Sequence, residues 1–221
     1  MPSAFAVIFD MDGVIFDTET IAIRCWSKAA DTLSLPDVRT VFPLCIGATA
    51  KRTEEILHEH FGPDFPYAAF SACTRANYLA HYEQEGLPVK PGVREILSFL
   101  QDAGIPAAIA SSTVTDVVRT ELQDAGLFSF FQAVIGGDRA ARSKPAPDIF
   151  LAAASALSFP PEQCFVVEDS FNGIRAAHAS GAHPIMVPDM LQPTEEIRFL
   201  AEHIFPSLRE TKEFFEKQIW R

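Results

Sequence analysis

A continuous apolar run that stops at two carboxylates decides the fold of this chain: residues 4–13 are AFAVIFDMDG. A short apolar run with polar boundaries is typical of a strand buried on both faces. Because no basic segment precedes it, the run favours a buried first strand over a secretory signal. Asp10 and Asp12 are therefore expected at the carboxyl end of that strand.

Similar apolar runs recur along the chain, and helical patterns separate them. The predicted strands are 4–9, 105–110, 132–135, 164–167 and 183–187, and the predicted helices between them are 93–102, 116–125, 148–157 and 172–179. Gly126 and Gly181 stand where two of these helices would end. Strands that alternate with helices need crossover connections, so the sequence predicts an α/β fold with a doubly wound parallel sheet.

Residues 16–88 interrupt this alternation. Their patterns predict helices at about 20–34, 50–61 and 67–85, and no buried-strand run lies among them. A Pro- and Gly-containing segment, 88–92, then precedes the return to the alternating pattern. We therefore expect an α/β core formed by residues 1–15 and 89–221, with residues 16–88 inserted as an all-helical domain.

Charge and composition exclude several classes of partner. The 221 residues carry a formal net charge of -11, which disfavours nucleic acid and anionic membrane surfaces. No apolar run approaches the ~18 residues that a membrane span needs. The four cysteines form no Cys-x-x-Cys pair and lie in apolar settings, which favours buried thiols in a reducing cytoplasm over a catalytic cysteine. A small phosphorylated metabolite remains compatible, because it needs only a local cation and a metal.

Paired carboxylates after the first strand are the strongest chemical signal. Ligands of open α/β sheets bind beyond the carboxyl ends of the strands, where Asp10 and Asp12 are expected. One carboxylate can attack or bind a metal while the other transfers protons. Gly13 permits a tight turn there. Acidic residues are also common in ordinary turns, so this motif alone leaves a structural role open.

Three further predicted strand ends carry polar groups. Ser111 and Ser112 offer hydroxyls and backbone N–H groups to an anion, although they could equally cap the next helix. Lys144 could neutralise phosphate charge, although a lone surface lysine is the simpler interpretation. Glu168 and Asp169 suit a hard cation such as Mg²⁺, although one of them could cap a helix. The four strand ends together point to a site for a phosphate and a metal.

The joint pattern resembles the haloacid dehalogenase superfamily of phosphatases and phosphomutases. The matching stretches are FDMDGVIFDTE at 9–19, ASS at 110–112, SKPAPD at 143–148 and VEDSFNGI at 167–174, which span nearly the whole predicted core. The insert resembles the helical cap of the subgroup that includes phosphoglycolate phosphatase and β-phosphoglucomutase. The resemblance implies a Rossmann-like core and a cap that excludes water and contacts the leaving group.

The resemblance also implies a role for each matching residue. Asp10 would be the nucleophile that becomes an aspartyl phosphate, and Asp12 would protonate the leaving oxygen and then activate water. Mg²⁺ would lie between the carboxylates of Asp10 and Asp169 and the backbone carbonyl of Asp12. Glu168 would contact the metal directly or support its ligands. The transferring phosphoryl group would be held by Ser111 and Lys144.

Positions in the helical insert bear on the substrate. Gly47, Lys51 and Arg52 lie where loops and helix starts of similar proteins touch substrate, although a solvated helix face is the simpler interpretation of each cation taken separately. The β-phosphoglucomutase pattern has a His and an Arg where this chain has Ala22 and Ala50. A mutase must hold a bisphosphorylated intermediate and refuse water, so both alanines favour hydrolysis.

We therefore expect a cytoplasmic, Mg²⁺-dependent phosphatase that acts on a small phosphorylated metabolite, a sugar phosphate among the candidates. The alternatives are a phosphosugar mutase and a non-catalytic binding protein on the same fold. The second alternative predicts loss of the catalytic set, which is intact here. Neither a nucleic acid nor a membrane is expected as a partner, and the chain is expected to be a monomer or a small homo-oligomer.

Overall fold

The computed structural model describes residues 5–48 and 50–219. Ala4, the first residue of the predicted opening strand, lies outside the described residues. The chain divides into two compact units, an α/β unit of Met1–Phe16 with Val89–Arg221 and a helical unit of Asp17–Pro88. Phe16, which we expected in the insert, groups with the α/β unit because it forms β-bridges with Asp12 and Val89.

The α/β unit contains a six-stranded sheet in which every neighbouring pair is parallel. Its strands are β1 (Ala6–Phe9), β2 (Ala107–Ala110), β3 (Ala133–Ile135), β4 (Cys164–Glu168), β5 (His183–Met186) and β6 (His203–Ile204). Their order is β3-β2-β1-β4-β5-β6, so the direction of winding reverses between β1 and β4. This arrangement confirms the predicted doubly wound α/β fold.

The helical unit contains the three long helices that the sequence predicts and two short segments that it does not. Its helices are α1 (Thr18–Thr32), α2 (Phe42–Cys45), α3 (Ala50–Phe61) and α4 (Tyr67–Glu85), with a 3₁₀ turn at Val38–Thr40. Helix α1 begins after Asp17, whose side chain accepts a hydrogen bond from the Thr20 N–H at 3.4 Å. Buried Leu57, Phe65 and Phe70 belong to a hydrophobic cluster of this unit's own.

The described part of the α/β unit contains six α-helices, the last of which follows β6. They are α5 (Val93–Asp102), α6 (Thr115–Asp124), α7 (Asp148–Leu157), α8 (Phe171–Ser180), α9 (Glu195–Leu200) and α10 (Leu208–Ile219). On α5 the buried residues are Val93, Ile96, Leu97 and Leu100, the face that the apolar spacing predicts. Strand β6 and helix α9 were not predicted, because segments of two and six residues carry too little periodicity.

The core of the α/β unit explains why the strand sequences are apolar throughout. Every residue of β1 and of β2 is buried. Helix α7 contributes Ile149 and Phe150 to a cluster that also contains Ile8 and Val166 from the sheet. Strands covered on both faces need apolar side chains throughout, because all of their side chains are removed from water. None of the described helices combines the length and apolarity that crossing a membrane requires.

Candidate active site

The carboxyl ends of β1, β2 and β4 bring the predicted polar residues of the α/β unit together. The Asp10 N–H donates to the Val167 carbonyl at 2.9 Å, and the Ser111 N–H donates to the Ile135 carbonyl at 3.0 Å. These bonds continue the sheet one residue beyond β1 and β2. Asp10 and Ser111 are therefore held at the edge where the winding direction of the sheet reverses between β1 and β4.

Lys144 lies at the centre of this group although it belongs to a loop. Its Nζ donates to the Asp10 carboxylate, to Glu168 Oε1 at 2.7 Å and to the Ala110 carbonyl at 3.3 Å. Only 8% of Lys144 is exposed, so the simpler interpretation of a surface lysine was wrong. One buried ammonium thus contacts groups from the ends of three strands.

The charges of Lys144 and Asp10 affect one another strongly. Burial raises the pKa of Asp10 well above its usual value, and the Lys144 ammonium opposes that rise. Burial alone would lower the pKa of Lys144, but the Asp10 and Glu168 carboxylates outweigh it and raise this pKa above its usual value. The neighbouring carboxylates therefore favour the positively charged form of this lysine.

The two oxygens of Glu168 have different partners. Oε1 accepts from Lys144, whereas Oε2 accepts from the Asp169 N–H at 2.9 Å, the Ser170 N–H at 2.8 Å and the Ser170 hydroxyl at 3.0 Å. The Ser170 hydroxyl in turn accepts from the Gly173 N–H at 3.0 Å and caps α8. The side chain of Glu168 is therefore fixed by the start of α8 and supports Lys144.

Three buried carboxylates form a candidate metal site. Ligand oxygens of Asp10, Glu168 and Asp169 lie within 4.8 Å of one another. Carboxylate oxygens are the ligands that Mg²⁺ prefers. Gly13, at φ +76°, approaches this group so closely that a Cβ there would lie 2.3 Å from Asp169 Oδ2. The donor set therefore fits a hard divalent cation, and a glycine backbone closes one side of it.

The carboxylate of Asp12 lies against a pair of hydroxyls. Its Oδ2 accepts from the Ser111 hydroxyl at 3.4 Å and from the Thr113 hydroxyl at 3.3 Å. The Thr113 N–H also donates to the Ser111 hydroxyl at 3.0 Å. Thr113 was missed in the sequence analysis, although a hydroxyl two residues beyond Ser111 in the same loop was an available signal. The neighbouring Ser112 is exposed.

Gly173, to which the sequence analysis assigned no role, leaves the space that the Glu168 side chain occupies. A Cβ on Gly173 would lie 1.7 Å from Glu168 Oε1 and 2.4 Å from Oε2. Only a hydrogen fits in that space, so this position in the first turns of α8 is restricted to glycine. Gly173 stands within the stretch VEDSFNGI, but its importance depends on the direction of the Glu168 side chain, which a sequence does not show.

The remaining predicted substrate-binding residues belong to the helical unit. Gly47 precedes α3 with φ +69°, and Lys51 is exposed on its first turn. The Arg52 guanidinium pairs with Glu55 at 3.1 Å and with Glu59 at 2.9 Å on the same helix. Ala22 lines a cavity of about 280 Å³ in this unit, together with the aromatic side chains of Trp26, Tyr67, Phe70 and Tyr78.

The α/β site can support transfer of a phosphoryl group. A buried carboxylate, Asp10, lies at a point where a fixed ammonium and a carboxylate site for a cation can offset the charge of an incoming anion. Asp12, two residues further on, is held separately by hydroxyls and can exchange protons. Asp10 and Asp12 are thus two carboxylates in different surroundings.

Comparison with known proteins agrees with this chemistry. The sequence model for haloacid dehalogenase-like hydrolases matches residues 6–181. The chain is 31% identical over 190 residues to a Bacillus subtilis protein described as a phosphatase, YhcW, with 86% of each chain covered. It is 33% identical over 181 residues to hexitol phosphatase A of Escherichia coli, with 81% of each chain covered.

Solved structures lead to the same family. CbbY from Rhodobacter sphaeroides, solved in complex with phosphate, superposes with a TM-score of 0.75 at 26% identity, covering 93% of this chain and 95% of that one. The match to the family spans β1 through α8, which includes every residue of the site described above. The chain therefore belongs to the haloacid dehalogenase-like hydrolase family, and it is an enzyme related to that family's phosphatases.

Proposed function

We propose that this enzyme is a Mg²⁺-dependent phosphatase that hydrolyses a small phosphorylated metabolite through an aspartyl phosphate on Asp10. The observation that carries the proposal is the buried contact between Lys144 and both Asp10 and Glu168, beside Asp169. It supplies a nucleophile, a cation for the phosphoryl group and a set of metal ligands in one place. A non-catalytic binding protein would not need this set intact.

In the first half-reaction an Asp10 oxygen attacks phosphorus and the bond to the leaving oxygen breaks. Asp12 delivers the proton that the leaving oxygen needs, and Ser111 and Thr113 hold its carboxylate in position. In the second half-reaction Asp12 removes a proton from water, which attacks the aspartyl phosphate. Inorganic phosphate leaves, and the Asp10 carboxylate is restored.

Charge neutralisation is the main task of the other residues. Lys144 and Ser111 would hold the oxygens of the transferring group, and Ser112 would add contacts from its backbone. Asp10, Asp169 and the backbone carbonyl of Asp12 would hold Mg²⁺, with Glu168 beside them. When bound, the cation would offset the repulsion between an anionic nucleophile and an anionic phosphate.

The proposed substrate is a phosphorylated sugar or sugar alcohol. Hexitol phosphatase A supports this class by its name, as does the phosphorylated carbohydrates phosphatase of Thermotoga maritima, 31% identical over 180 residues. Among the helical-unit candidates, Gly47 and exposed Lys51 are kept as proposed substrate contacts. Arg52 would first have to leave Glu55 and Glu59. The proposed cytoplasmic location is supported by the four cysteines, which are free thiols.

Phosphate release from a panel of sugar phosphates, hexitol phosphates, phosphoglycolate and nucleotides tests the proposal. We expect release from a narrow set of sugar or hexitol phosphates with Mg²⁺, loss of release in chelator and recovery when Mg²⁺ is restored. The Asp10→Asn protein measures the background. Full activity in chelator would remove the metal from the mechanism. Isomerisation of a hexose phosphate without phosphate release would instead establish the phosphosugar mutase, despite Ala22 and Ala50.

A further inference from the structure

A second cavity of the helical unit has a polar lining, formed by residues that take no part in the chemistry proposed above. It has a volume of about 220 Å³ and lies between α1 and α4. Helix α1 lines it with Ile21, Arg24, Cys25 and Lys28, and α4 lines it with Asn77, Ala80, His81, Gln84 and Glu85. Pockets for drug-sized ligands measure roughly 300–1,000 Å³, so this one suits a smaller molecule.

The α1 side of the cavity carries two positive charges. Arg24 and Lys28 are four residues apart, which places them on one face of the helix. Both are exposed, and within the described part of the chain neither side chain has an ion-pair or hydrogen-bond partner. In a protein with 29 acidic and 18 basic residues, these two cations give the α1 side of the cavity a local positive charge, and they outnumber the single carboxylate, Glu85, among its lining residues.

The α4 side offers polar groups whose hydrogen bonds within the described residues are missing or long. His81 Nε2 is buried and has no hydrogen-bond partner among the described residues. Its other ring nitrogen, Nδ1, faces Glu85 at 3.5 Å. The Asn77 amide donates only over long distances, 3.4 Å to the Cys25 carbonyl and 3.9 Å to the Cys73 sulfur. Both groups can therefore accept an incoming ligand as a partner.

We infer that this cavity is a second anion site, which binds the phosphate group of a small phosphorylated molecule. Donors approach it from two helices, Arg24 and Lys28 from α1 and the Asn77 amide from α4, where Asn77 lies beside His81. A tetrahedral phosphate can accept hydrogen bonds from both helices at once. A planar carboxylate, by contrast, can be fully bound by two parallel N–H groups of a single side chain. Ile21 and Cys25 give the cavity an apolar wall, against which a short organic body can pack.

Titration of the ¹⁵N-labelled protein with inorganic phosphate, at constant ionic strength, tests the inference. Amide shifts at residues 21–28 and 77–85 report on the second site, and shifts around Ser111 and Lys144 report separately on the catalytic site. We expect a saturable curve at α1 and α4. The Arg24→Gln/Lys28→Gln protein should bind at least about tenfold more weakly there, with the catalytic-site curve unchanged.

The control variant is Arg198→Gln, which removes an exposed charge from α9 and should leave both curves unchanged. A parallel titration with citrate should give clearly weaker binding at α1 and α4 than phosphate does. Absence of a saturable shift at these helices, or an unchanged curve in the double variant, would overturn the site. Tighter binding of citrate would overturn the assignment to phosphate. Failure of the proposed phosphatase activity would instead show in the panel assay, which does not depend on Arg24 or Lys28.

Discussion

Individual residues of the α/β site have different contacts. Asp10 contacts Lys144, whereas Asp12 contacts Ser111 and Thr113. The two carboxylates are two positions apart in the chain, but one is beside an ammonium and the other beside hydroxyls. This difference in surroundings supports the proposal that Asp10 is the nucleophile and that Asp12 donates and accepts protons.

Replacing each carboxylate by its amide separates these two roles. With p-nitrophenyl phosphate, whose leaving group needs no proton, Asp12→Asn should still form the aspartyl phosphate but hydrolyse it slowly. Intact-mass spectrometry should then show accumulated phosphoenzyme. Asp10→Asn should never be phosphorylated and should lose about 10⁴-fold or more in turnover. Phosphorylation of the Asp10→Asn protein would show that another residue is the nucleophile.

Gly173→Ala should destabilise the protein, against the normal helical preference. Alanine in the interior of a helix is usually more favourable than glycine by about 1 kcal/mol. At this position the added Cβ would collide with the Glu168 carboxylate, so we expect a loss of about 1–3 kcal/mol in the free energy of unfolding. Displacing Glu168 should also disturb Lys144 and lower phosphatase activity.

Denaturant unfolding and phosphate release measure these two effects. The matched control is Ala179→Gly, which changes an exposed position on the same helix and should cost about 1 kcal/mol without loss of activity. If Gly173→Ala instead stabilised the protein and left activity intact, the close approach of Glu168 to α8 would not matter for either property.

At the scale of elements, short connections position the site as much as the strands do. The Gly136-Gly137-Asp138 turn lies against the start of α6, so closely that a Cβ on Gly136 would lie 2.3 Å from the Thr115 nitrogen. Asp138 Oδ1 accepts from the Thr115 N–H at 2.7 Å and from its hydroxyl at 2.6 Å. The turn after β3 thereby caps the helix that follows the Ser111 loop.

Asp138→Asn should lower the melting temperature in a pH-dependent way. Hydrogen bonds from Thr115 lower the pKa of Asp138 below its usual value, so its charged form stabilises the folded state above the unfolded pKa. That contribution is lost as the pH falls through the lowered folded-state pKa. The difference in melting temperature between wild type and variant should therefore be larger at pH 7 than near pH 3. A difference that did not change with pH would assign the effect to geometry alone.

On the scale of the whole molecule, the chain contains two compact units with separate hydrophobic clusters. Phe70 is 1% exposed in the cluster of the helical unit, and Phe150 is 1% exposed in that of the α/β unit. Units with cores of their own can open independently of each other. The inserted segment is therefore expected to behave as a distinct domain in solution.

Phe70→Ala tests this independence. Truncating a buried Phe typically costs about 3–5 kcal/mol, and the loss should fall on the helical unit. Hydrogen exchange followed by mass spectrometry should show faster exchange in peptides from residues 17–88 and little change in the α/β unit. Phe150→Ala is the reciprocal control and should give the opposite pattern. Equal acceleration throughout the chain in both variants would show that the units unfold as one.

The sequence alone predicted most of the strands, the location of the site and the long helices of the insert. Continuous apolar runs predicted five of the six strands, because a strand covered on both faces cannot tolerate polar residues. Polar residues directly after β1, β2 and β4 predicted where the site would be, because parallel strands present their carboxyl ends at one edge of the sheet. The long helices of the insert followed from their periodicity in the same way.

Only the tertiary structure decided which side chains meet. Lys144 lies 134 positions from Asp10 in the chain, and although the sequence predicted that it belongs to the site, it did not show that the ammonium is buried in contact with Asp10 and Glu168. The roles of Thr113 and Gly173 and the pairing of Arg52 within α3 were also not visible. Local sequence patterns indicate which residues are buried. Contacts between distant residues depend instead on side-chain directions, which are set only when the helices and strands pack together.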